Sequence, residues 1–168
     1  MYQFFVDPGA ISEKQVVITG KDVNHIKNVL RMKVGEEIAV SNGVDGREYR
    51  CGILQMTEDA VICELRFIKE DGVELPSKIY LFQGLPKADK MELIIQKAVE
   101  LGAAEVIPVA MKNCVVKLDA KKAAAKTARW QEIAKSAAKQ SKRSRIPVVR
   151  EPVNYREAVA LAGELDVV

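Results

Sequence analysis

The sequence is poor in the residues that build metal, redox and disulfide sites. Its 168 residues include one histidine and three cysteines, Cys51, Cys63 and Cys114. The number of cysteines is odd, their spacings are wide and no CxxC pair occurs, which excludes a disulfide framework and the usual zinc sites. This cysteine usage is typical of a protein in the reducing cytosol, so we expect a cytoplasmic location and no bound metal.

Segments that would direct the chain into a membrane are also missing. There is no run of about 18 apolar residues, the length that a transmembrane helix needs. The first residues, MYQFFVDPGAISEK, contain neither a basic segment nor a long apolar stretch, so they do not resemble a secretion signal. Hydrophobic residues make up 48% and charged residues 29% of the chain, a composition that is ordinary for a globular protein.

Common catalytic motifs do not occur. His25 stands apart from any cysteine or carboxylate cluster, so a structural or surface role is its more ordinary interpretation. No GxGxxG follows a predicted strand, no GxSxG is present, and no two carboxylates form a hydrolytic pair. The stretch GLPKADK has the glycine-to-lysine distance of a phosphate-binding loop, but Asp89 and Met91 replace the second glycine and the hydroxyl residue of that loop. A nucleotide-triphosphate site is therefore excluded.

Positive charge, by contrast, is concentrated in one segment. The net charge of the chain is only +3, yet residues 112–150 contain twelve lysines and arginines against two acids, and the remaining residues carry a net charge of −7. One basic segment on an otherwise acidic chain favours a surface that faces a polyanion such as nucleic acid. The alternative is a solvated helix whose lysines serve solubility.

The apolar pattern divides the chain into two parts. Residues 1–72 contain short runs rich in Val, Ile, Phe and Tyr and one helical stretch, which predicts a small closed or half-closed β-barrel. After a boundary at 70–78, residues 73–168 alternate between strand and helix patterns, which predicts a parallel α/β sheet with right-handed crossovers. The predicted strands are 3–7, 15–20, 36–43, 47–56, 60–68, 78–84, 105–110, 146–149 and 164–168, and the predicted helices are 21–32, 87–101, 119–141 and 154–163.

The last predicted strand, ELDVV, is followed by no turn, helix cap or polar tail. A parallel sheet of three or four strands that ends on an apolar strand is incomplete. We therefore expect the chain to be the front portion of a longer protein. The alternative is a C-terminal strand that pairs as it stands.

Basic residues recur at helical spacing near the ends of two predicted helices. They are Lys87, Lys90 and Lys97 on the first helix and Lys135, Lys139, Lys142, Arg143 and Arg145 at the end of the second. Such side chains suit RNA phosphates, since each neutralised phosphate releases a counterion. The alternative is that cations near a helix C-terminus favour the helix dipole, which accounts for Lys139 and Lys142 but not for the continuation through Arg143, Arg145 and Arg150.

Three stretches carry a resemblance to a known family: HIKNVLRM at 25–32, GLPKADKMELIIQKAVELGA at 84–103 and RWQEIAKSAAKQSKRSRIP at 129–147. In this order, and over nearly the whole chain, they resemble the ribosomal RNA small-subunit methyltransferase E family. Members of that family methylate N3 of a uridine in 16S ribosomal RNA with S-adenosylmethionine. The resemblance therefore implies an RNA methyltransferase that acts on 16S ribosomal RNA or the small subunit, as a homodimer.

The resemblance also implies the fold of each part. Residues 1–72 should form a PUA-like RNA-binding barrel, and residues 73–168 should form the first portion of a SPOUT domain, an α/β sheet with a trefoil knot. In the family the cofactor site combines a GPEGG-type loop with a later LGxRILRxETA-type segment, and neither occurs in this sequence. The S-adenosylmethionine site is therefore expected beyond Val168, and the chain by itself is expected to lack the knot and to be inactive.

Six residues are predicted to bind RNA or to position the substrate, five because they match family motif positions and one, Arg145, because it continues the basic stripe. No residue is identified as the acceptor of the N3 proton. The alternative for each residue is helix capping or an ion pair between domains. For the whole chain the alternatives are a non-catalytic RNA-binding module that ends at Val168 and, third, an unrelated α/β enzyme with a basic face. The six residues are Arg31, Lys87, Lys90, Gln140, Arg143 and Arg145.

Overall fold

A computed structural model describes residues 1–70, 74–87, 90–112, 114 and 119–167. The chain forms two compact units. Unit 1 comprises Met1–Glu74 and Lys142–Arg145, and unit 2 comprises Leu75–Ser141 and Ile146–Val168. The predicted boundary between residues 72 and 73 lies outside the described residues.

Unit 1 contains a five-stranded sheet, and each strand coincides with a predicted run of branched and aromatic residues. The strands are β1 (Gln3–Phe5), β2 (Gln15–Thr19), β3 (Glu37–Ser41), β4 (Glu48–Met56) and β5 (Ala60–Lys69). Their order in the sheet is β1-β3-β4-β5-β2, with β1 parallel to β3 and the other neighbours antiparallel. The edge strands β1 and β2 share no ladder in the described part of the chain, so the sheet corresponds to the half-closed form of the predicted barrel.

Side chains from all five strands and from the helical stretch at 21–32 form one apolar core in unit 1. Alternate residues of each strand point into it, as the two-residue period of a strand requires. Cys51 and Cys63 belong to this core, where burial raises the pKa of the Cys51 thiol to about 11 and that of the Cys63 thiol to about 12. Both thiols are therefore protonated at neutral pH and act as small apolar side chains.

The predicted helix at 21–32 is only partly α-helical. It consists of α1 (Lys21–Asn24) and a π-helix (His25–Val29). Ile26 is fully buried, whereas Val29, which stands at helical spacing from it in the sequence, is 62% exposed. The reason is the wider turn of the π-helix, in which a residue three positions further on no longer returns to the same side.

Unit 2 alternates strands and helices as predicted, and it adds one short strand, β9, that the sequence pattern did not indicate. The elements are β6 (Tyr80–Gly84), α2 (Lys90–Glu100), β7 (Glu105–Ala110), α3 (Ala120–Gln140), β8 (Val148–Val149), β9 (Val153–Asn154) and α4 (Tyr155–Ala162). β7 pairs in parallel with β6, β8 and β9. Residues 106–109 of β7 are buried, as expected for a strand of a covered parallel sheet, whereas every residue of β6 is only half-buried.

Helices α2 and α3 pack against each other through a stripe of apolar and small side chains. Trp130 supplies the largest of these side chains and is 3% exposed. Ile94 is half-buried although it stands at helical spacing from Met91, and Val99 is buried. The buried residues of the two helices are Met91, Ile95, Ala98, Val99, Trp130, Ala134, Ala137 and Ala138.

Gly102 and Asp119, which the sequence places just after one predicted helix and at the start of the next, act as helix-end signals in the structure. Gly102 has a φ of 101°, and beside it the Ala103 N–H donates to the Ala98 carbonyl at 2.9 Å, which ends α2 in the manner that favours glycine. The Asp119 carboxylate accepts the Lys122 N–H at 2.8 Å and so caps α3. Among the described residues, no helix combines the length and the apolar character that a membrane crossing requires.

The predicted strand at 164–168 is wrong for its described residues. After α4 the chain continues in turns, with the Glu164 N–H donating to the Leu161 carbonyl at 3.2 Å and the Leu165 N–H to the Ala162 carbonyl at 3.1 Å. These local bonds use the backbone groups that a strand would give to a neighbour, and residues 163–167 pair with no strand. Residue 168 lies outside the described residues.

Substituting Ile95 tests the α2–α3 packing. Ile95 is fully buried, so Ile95→Ala should lower the free energy of unfolding of unit 2 by about 2–5 kcal/mol, the range for a deleted large aliphatic side chain. The matched control is Leu93→Ala on the same helix, where Leu93 is 57% exposed and the change should be within about 0.5 kcal/mol. Urea denaturation followed by far-ultraviolet circular dichroism measures both; equal losses would contradict the packing.

Candidate nucleic-acid interface

The six residues predicted to bind RNA are divided between the two units. Five of them are exposed and one, Arg143, is buried, with 5% of its surface exposed. The exposed residues can meet a phosphate without a change in the fold, whereas the Arg143 side chain is shielded from solvent. Arg31, Arg143 and Arg145 belong to unit 1, and Lys87, Lys90 and Gln140 belong to unit 2.

Within unit 1, the carboxylate of Glu74 holds the basic segment Lys142–Arg145. Its Oε2 lies 2.5 Å from Arg143 Nη2, and its Oε1 accepts the backbone N–H groups of Ser144 at 3.1 Å and of Arg145 at 3.0 Å. Burial by itself would raise the pKa of Glu74, but the hydrogen bonds from these groups and the charge of Arg143 lower it below its usual value. Glu74 is therefore ionised at neutral pH and fixes both the side chain and the backbone of this segment.

Arg145 is held at two further points of unit 1. Its backbone forms a parallel bridge with Gly43, and its guanidinium lies against Gly46, where an added Cβ would stand 2.9 Å from Arg145 Nε. Just before it, the Arg143 carbonyl accepts a hydrogen bond from Gln3 Nε2 at 3.0 Å. Arg145 is thus an exposed cation on a fixed backbone.

The turn that supports Arg145 is shaped by Asp45. The Asp45 carboxylate accepts the Tyr49 hydroxyl at 2.6 Å, the Asn42 side-chain amide at 2.7 Å and the Arg47 N–H at 2.8 Å. Burial alone would raise the pKa of Asp45, but these hydrogen bonds lower it, and burial together with the bond to Asp45 raises the pKa of Tyr49. The hydrogen bonds of Asp45 therefore hold the turn in one conformation, and Arg145 contacts this ordered backbone.

Arg31 follows the π-helix and has a φ of 53°. The Leu30 N–H donates to the His25 carbonyl at 2.8 Å and the Met32 N–H to the Ile26 carbonyl at 3.0 Å, so the backbone on both sides of Arg31 is fixed. The Met32 side chain is buried and the Arg31 side chain is exposed. The local fold thus directs this cation to the surface of unit 1.

In unit 2, Lys87 and Lys90 lie between the end of β6 and the first turn of α2, and both are exposed. Residues 88–89, which separate them, are outside the described residues. The third lysine of the predicted face, Lys97, is instead engaged by Glu100, with Nζ 2.7 Å from the carboxylate. Lys87 and Lys90 are therefore the cations of this face that pair with no acid among the described residues.

Gln140 ends α3 and lines an open groove of about 310 Å³ in unit 2. Its exposed side-chain amide offers both donors and an acceptor. The other lining residues are Gln96, Glu132, Ile133, Ser136 and Ala137.

The predicted basic stripe at the end of α3 is divided by the fold. Lys135 is exposed and Lys139 is half-buried on the helix, while Lys142 lies beyond the helix end in unit 1 with a φ of 57°. Arg150 forms an ion pair with Glu105 in the sheet of unit 2. The sequence stripe is therefore not one continuous surface of α3.

Nucleophilic or metal chemistry finds no support in the described residues. No group of three or more His, Cys, Asp or Glu side chains there is arranged to hold a metal ion. His25 is half-buried and meets the ring of Phe4 edge-on at a centroid distance of 6.4 Å. Cys51 and Cys63 are buried thiols with raised pKa values, so neither acts as a thiolate.

Two acids that shape the interface were not predicted from the sequence. Glu74 stands in the charged boundary stretch EDGVELPSK, where an acid looks like a solvated linker residue, 69 positions away from Arg143. No local pattern connects the two. Asp45 had a usable signal, since it belongs to the turn sequence Asn-Gly-Val-Asp-Gly, and Asn and Asp in such turns bind nearby backbone N–H groups.

Comparison with known families matches both parts of the chain. An RNA methyltransferase domain model matches residues 73–168, and an RNA methyltransferase PUA domain model matches residues 18–66. Unit 1 therefore contains a PUA-like domain and unit 2 belongs to an α/β methyltransferase domain.

Individual proteins are similar over most of the chain. The ribosomal RNA small subunit methyltransferase E of Bacillus subtilis (strain 168) is 42% identical over 149 residues, which are 89% of this chain and 58% of that protein. The protein of the same name from Mesomycoplasma hyopneumoniae (strain 232) is 34% identical, over 99% of this chain and 69% of its own length. The chain thus spans 50–58% of the length of several curated relatives that it matches.

Solved structures have the same fold. A crystal structure of a ribosomal RNA small subunit methyltransferase E from Neisseria gonorrhoeae, bound to S-adenosyl methionine, superimposes with a TM-score of 0.80 at 34% identity, over 95% of this chain and 65% of that one. A hypothetical protein of known crystal structure superimposes with a TM-score of 0.88 at 38% identity, over 98% and 68% of the two chains. With a domain-model match over more than half of its length and relatives above 30% identity, the chain belongs to the ribosomal RNA small subunit methyltransferase E family.

Proposed function

We propose that the protein to which this chain belongs transfers a methyl group from S-adenosylmethionine to N3 of a uridine in 16S ribosomal RNA. The observation that carries the proposal is the match of residues 73–168 to the RNA methyltransferase domain, on a chain whose relative from Bacillus subtilis is 42% identical. The PUA-like domain of unit 1 binds the RNA, and the SPOUT-type fold of unit 2 takes part in methyl transfer. The protein acts as a homodimer.

The exposed cations of the two units bind the RNA backbone. Arg31 and Arg145 in unit 1 and Lys87 and Lys90 in unit 2 each neutralise a phosphate and release a counterion. Arginine offers a planar fork of donors that matches two phosphate oxygens at once, whereas lysine acts as a point charge. Gln140 can donate to and accept from the edge of an unstacked base.

Arg143 contributes in a different way. Its guanidinium is buried beside Glu74, so it supports the RNA-binding segment from the inside. Loss of Arg143 should weaken RNA binding through the backbone of Ser144 and Arg145.

The groove beside Gln140 offers no positive charge to the carboxylate of S-adenosylmethionine, since its one charged lining residue is Glu132. No contact with the cofactor is therefore assigned to a described residue, and the residues named above are proposed to bind RNA. Bound cofactor supplies the methyl group as an electrophilic sulfonium.

Methyl transfer by the whole protein tests the proposed activity. 16S ribosomal RNA from cells in which the gene is deleted, incubated with the whole protein and S-adenosylmethionine that carries a labelled methyl group, should gain one labelled uridine. Nuclease digestion and mass spectrometry should identify that nucleoside as 3-methyluridine, and 23S ribosomal RNA serves as the control substrate. A label on the ribose, on another ring atom or on 23S RNA would contradict the assigned specificity, and absence of label from every ribosomal RNA would contradict the activity.

Salt dependence of RNA binding tests the role of Lys90. Lys90→Ala in this chain should weaken binding to an unmodified 16S transcript several-fold and reduce the slope of log affinity against log salt by about 0.7–0.9, because one phosphate contact is lost. The control is Lys121→Ala, which removes the same charge from the first turn of α3. Filter binding over a series of salt concentrations measures both variants. If they weaken binding equally, Lys90 acts only through the net charge of the chain and makes no specific phosphate contact.

A further inference from the structure

We propose that Glu74 is a positioning residue for RNA: its carboxylate holds residues 143–145 in the shape that presents Arg145 to a phosphate. This inference rests on the proposed RNA-binding function and names the residue that organises one part of it. Hydrogen bonds, burial and charge in unit 1 support it.

The hydrogen bonds of Glu74 reach the backbone of the segment as well as a side chain. Oε1 accepts the N–H groups of both Ser144 and Arg145, and the Ser144 hydroxyl lies 3.5 Å from the same oxygen. Two successive N–H groups that point at one oxygen fix the path of the backbone through Ser144. Because the second belongs to Arg145 itself, the carboxylate determines where the Arg145 side chain begins.

Burial separates the roles of the two arginines. The Arg143 side chain is 7% exposed and the Glu74 side chain is 17% exposed, so this ion pair is shielded from water. A buried guanidinium is costly without an opposite charge, and the carboxylate offsets that cost. Arg145, two residues later, is exposed and receives only a backbone contact from Glu74, so its own charge remains available to a ligand.

The other side of Arg145 is supported by the turn that contains Gly43 and Gly46. The backbone bridge to Gly43 and the contact of the guanidinium with Gly46 restrict the side chain before any ligand arrives. A side chain already ordered loses less conformational entropy when it binds. Since a guanidinium pairs with phosphate oxygens in a fork geometry, a phosphate of RNA is the ligand that this arrangement suits.

A pure charge effect and a positioning role predict opposite changes in RNA binding when Glu74 is substituted. Glu74→Gln removes a negative charge beside a cationic segment, so electrostatics without positioning should strengthen RNA binding. If the carboxylate positions Arg145, the same substitution should weaken binding, because the amide cannot accept from Arg143 and from both backbone N–H groups as a carboxylate does.

The experiment is a double-substitution cycle with an unmodified 16S transcript as the probe. Arg145→Ala should weaken binding about tenfold, as expected for a lost charge-assisted hydrogen bond. Glu74→Gln should weaken binding by a similar factor, and the double variant should bind no more weakly than Arg145→Ala alone, because Glu74 acts through Arg145. Glu36→Gln, which removes an exposed acid of unit 1, is the matched control and should bind as well as the unsubstituted chain or better.

The outcomes separate this inference from the proposed function. An unsubstituted chain that does not bind the transcript, or binds it without dependence on salt, contradicts RNA binding itself. If the unsubstituted chain binds and Arg145→Ala weakens binding, but Glu74→Gln binds equally well or better, then only the positioning role is overturned. The positioning role is also overturned if the losses of binding free energy of the two single variants add up in the double variant.

Folding is controlled for separately. Each variant is compared at a temperature at which circular dichroism shows it to be folded. If Glu74→Gln unfolds, the paired variant Glu74→Gln with Arg143→Gln, which leaves no unpaired buried charge, replaces it in the cycle with the same expected coupling to Arg145. Unfolding of both forms would assign Glu74 to folding and overturn the positioning role.

Discussion

The Glu74 carboxylate of unit 1 determines where residues 142–145 lie. The Arg143 guanidinium is buried, and a buried charge is tolerated only with an opposite charge and hydrogen bonds around it. Glu74 provides both for Arg143 and also binds the backbone of the next two residues. The residues before Lys142 and after Arg145 belong to unit 2, so this interaction assigns a short stretch to a different unit from its sequence neighbours.

Ion pairs in the folded chain offset part of the positive charge that the sequence concentrates in residues 112–150. Besides Arg143, two bases of the 112–150 segment meet acids from other parts of their own unit: Arg129 meets Glu92 at 2.6 Å, and Arg150 meets Glu105. These pairs are partly exposed and contribute little to stability, about 0–1 kcal/mol each. Their effect is on the surface potential, because a paired cation attracts a phosphate less strongly than an unpaired one does. The local charge of the sequence therefore overstates the number of cations that are available to RNA.

Two basic residues in the described part of the chain have left-handed backbone conformations, Arg31 and Lys142. Each is the first residue after the cap of a helical segment, the position at which glycine is usual because it lacks a Cβ. A residue with a side chain costs about 1 kcal/mol more there. Both side chains are exposed, so each of these backbone turns directs a cation to solvent.

Most of the secondary structure could be predicted from the sequence, because local periodicity and the signals at Gly102 and Asp119 act over a few residues. The family resemblance carried by the three motifs was likewise readable without coordinates. Tertiary structure alone decided that Arg143 is buried and Arg145 exposed, although both continue one basic stripe. It also decided that Val29 leaves the core through a π-turn and that residues 164–167 form turns. The physical reason is range: helix and strand patterns depend on neighbours in sequence, whereas the burial of Arg143 depends on a carboxylate 69 positions away that only folding brings within 2.5 Å.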